Sequence, residues 1–248
     1  MAGGLAIALL VSASALPDLS SQDAVEYQVG RGVEATRENG ARGTRQIARP
    51  LAVNDGLFLA PAGKALLAAY GCPGLPGAPA ESEPAFRLRL ARALGGDRGP
   101  PSPGRCELTM GLALAEFLRL EEPATRLIAA DRIRAALPHH ELLALWGSSY
   151  AFTPEGPFGL DEAAGRLYGK PAVALDWNEA ALLALASDLF EEVETCRHPP
   201  RLTSLRDPFL DRLAQLYPAE AQIILLQKRL PLPCDRPLPG GRSSRPAP

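Results

Sequence analysis

The clearest pattern of apolar and polar positions lies in the third quarter of the chain. The segment from Leu160 to Tyr168 has the length of a short helix, and Asp161 and Glu162 stand in its first turn, where acidic groups oppose the positive end of the helix dipole. Gly169 follows at the position where a left-handed residue commonly ends a helix, and Pro171 blocks any continuation. The pattern therefore predicts a helix from Leu160 to Tyr168.

A second and longer helix is predicted directly after the first. Asp176 stands at the N-cap position with Glu179 three residues later, which is the capping-box pattern with Asp in place of Ser or Thr. The run from Ala180 to Ala186 is apolar on nearly every face. A helix that is apolar all round is typically buried, so we expect this one to lie inside the protein.

Further helices are predicted on both sides of this pair. Leu57 to Ala69 contains a helical segment, and Thr125 to Leu137 has the pattern of another helix. A last helix is expected from Pro218 to Leu230, with proline in its first turn. Residues 231–248 are rich in proline and are predicted to form a disordered tail. The predicted fold class is therefore mainly α.

The N-terminal part has a different pattern. Val25 to Val29 and Thr44 to Ala48 are predicted to form the two arms of a small N-terminal β-hairpin, within an extension that covers residues 20–50. Leu5 to Leu16 is an apolar run that is too short to span a bilayer. Residues 1–19 are consistent with a secretory signal peptide, a truncated anchor or a buried helix.

Composition narrows the classes of function. With 248 residues and a net charge of −2, the chain forms one large domain or two small ones and gives no indication of a nucleic-acid partner. Three histidines and no C-x-x-C pattern argue against a zinc site. The four cysteines are consistent with free thiols or, in an exported chain, with disulfides. The pairing that we expect for disulfides is Cys72–Cys106 and Cys196–Cys234.

Three short motifs follow one another between residues 141 and 184. They read E-L-L, then F-G with A-A and Y-G-K, then L with E-A-A-L-L-A. Their order and spacing resemble the peptidoglycan glycosyltransferases of glycosyltransferase family 51, the transglycosylase domains of penicillin-binding proteins and of monofunctional transglycosylases. The resemblance implies a lysozyme-like helical bundle over residues 51–230. The matching residues are Glu141, Leu142, Leu143, Phe158, Gly159, Ala163, Ala164, Tyr168, Gly169, Lys170, Leu175, Glu179, Ala180, Ala181, Leu182, Leu183 and Ala184.

The chain departs from the family at the positions that carry its chemistry. The essential catalytic Glu of the family falls at Tyr70 here, and the Glu of its R-K-x-x-E motif falls at Arg126. In the G-x-S-T-i-T-Q-Q motif, Cys106 and Glu107 replace the Ser and the first Thr, whereas Thr109 matches. A phenol with an ordinary pKa of about 10 and a guanidinium do not accept protons at neutral pH. The sequence therefore predicts a retained scaffold with impaired catalysis.

The resemblance also implies what the ligand and its contacts are. Family 51 enzymes join lipid-linked disaccharide units, using a Glu that takes the proton of the attacking hydroxyl. Basic groups and a divalent metal stabilise the departing diphosphate, so the resemblance implies Mg²⁺ or Mn²⁺, although the sequence predicts no metal ligands. Thr109, Arg126 and Lys170 are the substrate-binding candidates that follow from the motif matches.

Three carboxylates are candidates to replace the missing catalytic group. Glu83 and Glu81 lie in the loop that follows Tyr70, and Glu107 stands at a motif position that faces the cleft in the family. The alternative is that all three are solvated surface charges. Two functions follow: a catalytically impaired protein that binds or scaffolds, and a divergent active enzyme that polymerises lipid-linked disaccharide-peptide units.

The expected partners belong to the cell envelope. They are a lipid-linked peptidoglycan precursor or glycan strand, the membrane surface and other cell-wall synthesis proteins, at the outer face of the cytoplasmic membrane or in the periplasm. The segment from Pro84 to Pro103 alternates apolar and Arg residues. It is consistent either with contact to an anionic lipid surface or with an ordinary core helix that has a basic solvent face.

Overall fold

The structure, a computed structural model, describes residues 16–40, 56–75, 85, 103–153 and 156–233. These residues form nine α-helices and three short 3₁₀ turns, and an isolated antiparallel bridge joins Ala151 to Phe158. The predicted mainly α fold is confirmed. Among the described helices, none is both long and apolar enough to cross a bilayer. The helices are α1 (Gln22–Gly40), α2 (Pro61–Ala69), α3 (Pro103–Glu116), α4 (Pro123–Ala136), α5 (His139–Ser149), α6 (Leu160–Tyr168), α7 (Trp177–Glu194), α8 (Pro199–Leu216) and α9 (Ala221–Gln227).

Helix α7 occupies the centre of the fold because its apolar first half offers no face to solvent. Residues Ala180 to Ala184 are all buried, and α2, α6, α8 and α9 pack around the helix. Small side chains at the contacts permit short distances between helix axes, and alanine recurs along this segment. The prediction of a buried helix after Asp176 is therefore confirmed.

The predicted capping box begins α7. The Asp176 carboxylate accepts a hydrogen bond from the Glu179 amide at 2.9 Å, and the Glu179 carboxylate accepts one from the Asp176 amide at 3.0 Å. Lys170 Nζ lies 2.7 Å from the same carboxylate oxygen of Glu179. Glu179 therefore satisfies the first turn of α7 and also holds the loop after α6 against it.

Other helix predictions agree with the structure to within a few residues. Helix α6 has the predicted bounds, and Gly169 ends it in the left-handed conformation with φ of 71°. The helix predicted from Thr125 to Leu137 is α4. The helix predicted from Pro218 to Leu230 divides into the 3₁₀ turn Pro218–Glu220 and α9.

A buried polar network holds the end of the described chain against α7 and α8. The Arg206 guanidinium on α8 donates to Asn178 Oδ1 at 3.0 Å and to the Leu230 carbonyl at 3.1 Å. Asn178 on α7 donates in turn to the Pro231 carbonyl at 3.0 Å. Leu232 is buried beside this network, so packed structure extends into the predicted tail, and residues 234–248 lie outside the described residues.

The predicted N-terminal β-hairpin is not supported. Its first arm, Val25 to Val29, lies within α1, and its second arm, Thr44 to Ala48, lies outside the described residues. Val25, Val29 and Val33 are four residues apart and fully buried, which is the spacing of a helix face. Tyr27, which a strand would place on the same face as Val25 and Val29, is 62% exposed.

One of the expected disulfides connects the residues after α2 with the start of α3. Cys72 and Cys106 are bonded, with Cα atoms 6.0 Å apart, and they are separated by 34 positions in sequence. Cys196 is disulfide-bonded as well. The pairing expected for it involves Cys234, which lies outside the described residues.

Two tyrosines differ in how their hydroxyl groups are satisfied. Tyr217 donates to the carbonyls of Lys64 and Pro73, at 3.2 Å and 3.3 Å. The Tyr168 hydroxyl is buried and has no hydrogen-bond partner among the described residues. Burial raises the pKa of Tyr217 to about 12 and raises the pKa of Tyr168 well above the usual range of a phenol.

Removing the cap of α7 should destabilise the protein measurably. We expect Asp176→Ala to lower the free energy of unfolding by about 1–2 kcal/mol in urea denaturation, because the Glu179 amide loses its acceptor. Glu191→Ala removes an exposed carboxylate from the same helix and should change the value by less than about 0.5 kcal/mol. Equal losses in the two variants would show that the capping box does not stabilise α7.

The two tyrosines should respond in opposite ways to loss of the hydroxyl. Tyr168→Phe removes a buried group that has no partner, so we expect the free energy of unfolding to stay unchanged or to rise. Tyr217→Phe removes a satisfied hydroxyl and leaves two carbonyls with one donor fewer, so we expect a loss of about 1 kcal/mol. Both values come from the same urea titrations, and a marked loss in Tyr168→Phe would reveal a partner for its hydroxyl.

Candidate functional site

A cleft of about 530 Å³ opens where four elements of the helical fold come together. Helix α2 and helix α5 both end at the cleft, while α7 forms its floor and α8 forms one wall. The lining residues are Ala69, Tyr70, Tyr150, Ala151, Ala184, Leu185, Ser187, Phe209 and Arg212.

Aromatic side chains form the side of the cleft made by α2 and α5. Tyr70 follows the last residue of α2, Tyr150 follows the last residue of α5, and their hydroxyl groups lie 2.6 Å apart. The Tyr70 ring meets the Trp146 ring and the Tyr150 ring edge to face, with centroids 5.3 Å and 5.8 Å away. These contacts fix both rings, because edge-to-face pairs add to the energy of apolar burial.

Arg212 supplies the charge of the cleft. It projects from α8, is exposed, and has no ion pair or hydrogen bond among the described residues. The remaining polar side chains of the lining are Tyr70, Tyr150 and Ser187. Hydroxyl groups and a guanidinium donate hydrogen bonds, so the cleft suits a polyhydroxylated or anionic ligand.

The cleft lining does not fit general-base or divalent-metal chemistry. No carboxylate or imidazole is among the described residues that line it. Mg²⁺ and Mn²⁺ are bound through carboxylate and other oxygen ligands, and the described part of the chain contains no group of three or more His, Cys, Asp or Glu side chains that could hold a metal.

Glu107 lies away from the cleft in a buried cluster of charges. Arg134 Nε donates to one of its oxygens at 2.9 Å, and His139 Nδ1 lies 3.0 Å from the other. His139 Nε2 lies 2.9 Å from the Leu75 carbonyl, which can only accept. Both ring nitrogens therefore donate when the imidazole is charged. Both Glu107 oxygens have partners in this cluster, and Glu107 is not among the residues that line the cleft.

The cluster has a defined protonation state. The hydrogen bond to Glu107 raises the pKa of His139 above 6.5, against the effect of burial. Burial raises the pKa of Glu107, but hydrogen bonds and charge from His139 and Arg134 outweigh it and hold the pKa below 4.5. The carboxylate and the imidazolium therefore coexist at mildly acidic pH.

The other predicted site residues do not come together. Thr109 donates to the Arg105 carbonyl at 2.9 Å, Arg126 donates to the Leu120 carbonyl at 2.8 Å, and Lys170 pairs with Glu179. None of the three predicted substrate-binding residues lines the cleft. Glu81 and Glu83, together with most of the basic segment from Pro84 to Pro103, lie outside the described residues.

The buried charge cluster should make stability depend on pH. The contribution of His139 is complete below pH 6.5 and is lost as pH rises through its raised pKa. The contribution of Glu107 is complete above pH 4.5 and is lost as pH falls through its lowered pKa. We therefore expect the stability advantage of the wild type over His139→Gln to be largest between about pH 4.5 and 6.5 and to shrink above that range.

The control for this measurement is the neighbouring histidine. His140 is exposed, so His140→Gln should leave the pH profile of the unfolding free energy close to that of the wild type. An advantage over His139→Gln that stayed constant from pH 6 to about pH 9 would contradict the charged pairing, because the linkage requires a change in bound protons.

Sequence reasoning missed Tyr150, Ser187 and Arg212 as residues of the site. Tyr150 follows a helix end and Arg212 lies within a helix, but neither position shows which wall of a cleft a side chain joins. Comparison of the chain with protein-family models, with curated proteins and with solved structures finds no match.

Proposed function

We propose that this chain is a peptidoglycan glycosyltransferase-like domain of the cell envelope that binds a glycan ligand in its cleft and does not polymerise it. One observation carries the proposal. Tyr70, which stands where the resemblance expects the catalytic Glu, lines the cleft and is hydrogen-bonded to Tyr150. A carboxylate at this position would take a proton, whereas a phenol paired with a second phenol positions a hydroxyl ligand.

The composition of the cleft supports binding of a sugar with an acidic substituent. Tyr70 and Tyr150 offer aromatic surface and hydroxyl groups to a sugar ring, and Arg212 offers a guanidinium to a carboxylate or a phosphate. A volume of about 530 Å³ falls within the range of pockets that hold small ligands. The ligand class that we propose is a lipid-linked peptidoglycan precursor or a glycan strand, and the contacts are those of a binding module.

A location outside the cytoplasm is part of the proposal. The Cys72–Cys106 disulfide supports it, because disulfides persist mainly in oxidising compartments. The apolar run from Leu5 to Leu16, read as part of an export signal, agrees with that location. The proposed site of action is the outer face of the cytoplasmic membrane or the periplasm, where cell-wall synthesis proteins are the expected partners.

The lysozyme-like bundle over residues 51–230 also belongs to the proposal. Its support is the order of the elements: α5 carries the E-L-L motif, α6 ends in the Y-G-K motif, and α7 carries E-A-A-L-L-A after its capping box. The leucine, alanine, phenylalanine and tyrosine positions that carry the resemblance are buried in the core.

The decisive experiment measures turnover and binding separately. Purified protein incubated with lipid-linked disaccharide, with and without Mg²⁺ or Mn²⁺, should form no polymer on a gel. Binding of the same precursor, measured by calorimetry, should be detectable in the wild type. Arg212→Gln should weaken it by about tenfold, because a charged hydrogen bond is lost. Arg201→Gln is the matched control, since Arg201 lies on the same helix but pairs with Glu192 away from the cleft, and it should bind like the wild type.

Absence of binding at the cleft or formation of polymer would overturn the proposal. If the wild type showed no binding of the precursor, or if Arg212→Gln and Arg201→Gln bound equally well, the cleft would not be the ligand site. If polymer formed and Glu81→Gln or Glu83→Gln abolished it, the divergent active enzyme would replace the binding module as the function. Polymer that persisted in both of those variants would place catalysis on another residue.

A further inference from the structure

Helix α9 carries an apolar surface that the described chain does not cover. Ile223, Leu225 and Leu226 are 57%, 44% and 51% exposed, and Leu230 in the turn that follows is 38% exposed. Ile224 points the other way and is fully buried, so it anchors the helix to the core. We call the exposed set, Ile223, Leu225, Leu226 and Leu230, the α9 surface.

The spacing of three residues of the α9 surface makes one continuous stripe. Ile223, Leu226 and Leu230 are three and four positions apart, which places them on one helical face. The stripe does not stop at the end of α9, because the amides of Arg229 and Leu230 continue the turn by bonding to the carbonyls of Leu226 and Gln227. Isolated exposed leucines are ordinary, whereas a stripe of this kind indicates a partner.

The charged residues within α9 and the turn that follows it are basic. No acidic residue occurs between Ala221 and Pro233. Lys228 is neutralised by Asp211, and Glu220, just before the helix, pairs with Lys64. Arg229 is exposed and has no ion pair among the described residues. The apolar stripe is therefore bordered by a cation whose charge is not compensated.

The size of the α9 surface argues against a second copy of the chain as its partner. Four half-exposed aliphatic side chains offer roughly 350 Å² together, less than half of the about 800 Å² that each partner contributes to a standard protein interface. An interfacial helix needs only a narrow apolar face that enters the headgroup region, with cations at the border for anionic lipids. The area and the charge both fit that partner.

We infer that α9 and the following turn form a peripheral docking site for an anionic phospholipid bilayer. The helix lies in the plane of the interface, with Ile223, Leu226 and Leu230 among the upper acyl segments and Arg229 at the phosphates. At seven residues α9 is about 10 Å long, so the contact is shallow and reversible. The inference relies on the envelope location of the proposed function, but it uses a surface that is distinct from the cleft.

Vesicle binding tests the inference. The full chain should co-sediment with phosphatidylcholine vesicles that contain phosphatidylglycerol, and less with pure phosphatidylcholine or at high salt. Ile223→Ser/Leu226→Ser should lower the partition coefficient by roughly tenfold or more, because two apolar side chains no longer enter the bilayer. Arg229→Gln should lower partitioning to anionic vesicles by about fivefold and leave partitioning to neutral vesicles unchanged.

The matched control is Leu59→Ser, which changes an exposed leucine outside α9 and should bind vesicles like the wild type. Leu226→Trp supplies a second readout, since its fluorescence should shift to the blue when vesicles are added; the native tryptophans, Trp146 and Trp177, are already buried.

Three results would overturn the inference: no partitioning of the wild type, equal partitioning of Ile223→Ser/Leu226→Ser, or a dimer in light scattering that this double variant dissociates. Failure of the inference is distinguishable from failure of the proposed function. Loss of vesicle binding with precursor binding retained would contradict the α9 surface alone. Loss of precursor binding with vesicle binding retained would contradict the cleft alone.

Discussion

The structure depends on one constraint, which is that the apolar first half of α7 must be enclosed on every side. No amphipathic arrangement could place this segment at the surface, since Ala180 to Ala184 are apolar all round. Helices α2, α6, α8 and α9 supply the enclosure, and the capping box at Asp176 fixes where the buried helix begins. The cost of burying Asn178 near its first turn is offset by hydrogen bonds to Arg206 and to the chain end.

The cleft is a consequence of this enclosure. Because α2 packs along α7 and ends at Ala69, the residue that follows, Tyr70, has to lie at the rim above the α7 floor. The end of α5 reaches the same rim and contributes Tyr150. The scaffold therefore decides where side chains face the cleft, and the residue types at those positions decide its chemistry. Here they are phenols and one guanidinium.

Predictions of secondary structure from the sequence agree with the structure where a local pattern determines it. Gly169 and Asp176 set helix ends through short-range hydrogen bonds and backbone geometry, and both of these depend only on residues that are near in sequence. The predicted hairpin failed because V-E-Y-Q-V is consistent with both a period of two and a period of four. The choice is made by the core, which buries Val25, Val29 and Val33 and leaves Tyr27 exposed.

The surroundings of the predicted site residues could not be read from the motifs for a related reason. The motif match predicted Glu107 at a cleft-facing position. In the structure its carboxylate pairs with Arg134 and His139, which lie 27 and 32 residues further along the chain. Arg212 could not be assigned to the cleft without knowing which side of α8 packs on α7. Pairing across such distances is a property of the folded chain and is not visible in a short motif.

A buried or half-buried carboxylate at a cleft costs stability unless it is paired and hydrogen-bonded. Tyr70 avoids this cost, because its ring packs on Trp146 and its hydroxyl group bonds to Tyr150. The same reasoning explains why the buried Glu107 carboxylate pairs with both Arg134 and His139, whereas the exposed Arg212 has no ion pair among the described residues. Under the proposed function, a charge left without a protein partner at the cleft is the group available to a ligand. Under the further inference, the exposed cation Arg229 is likewise available to the phosphates of a lipid surface.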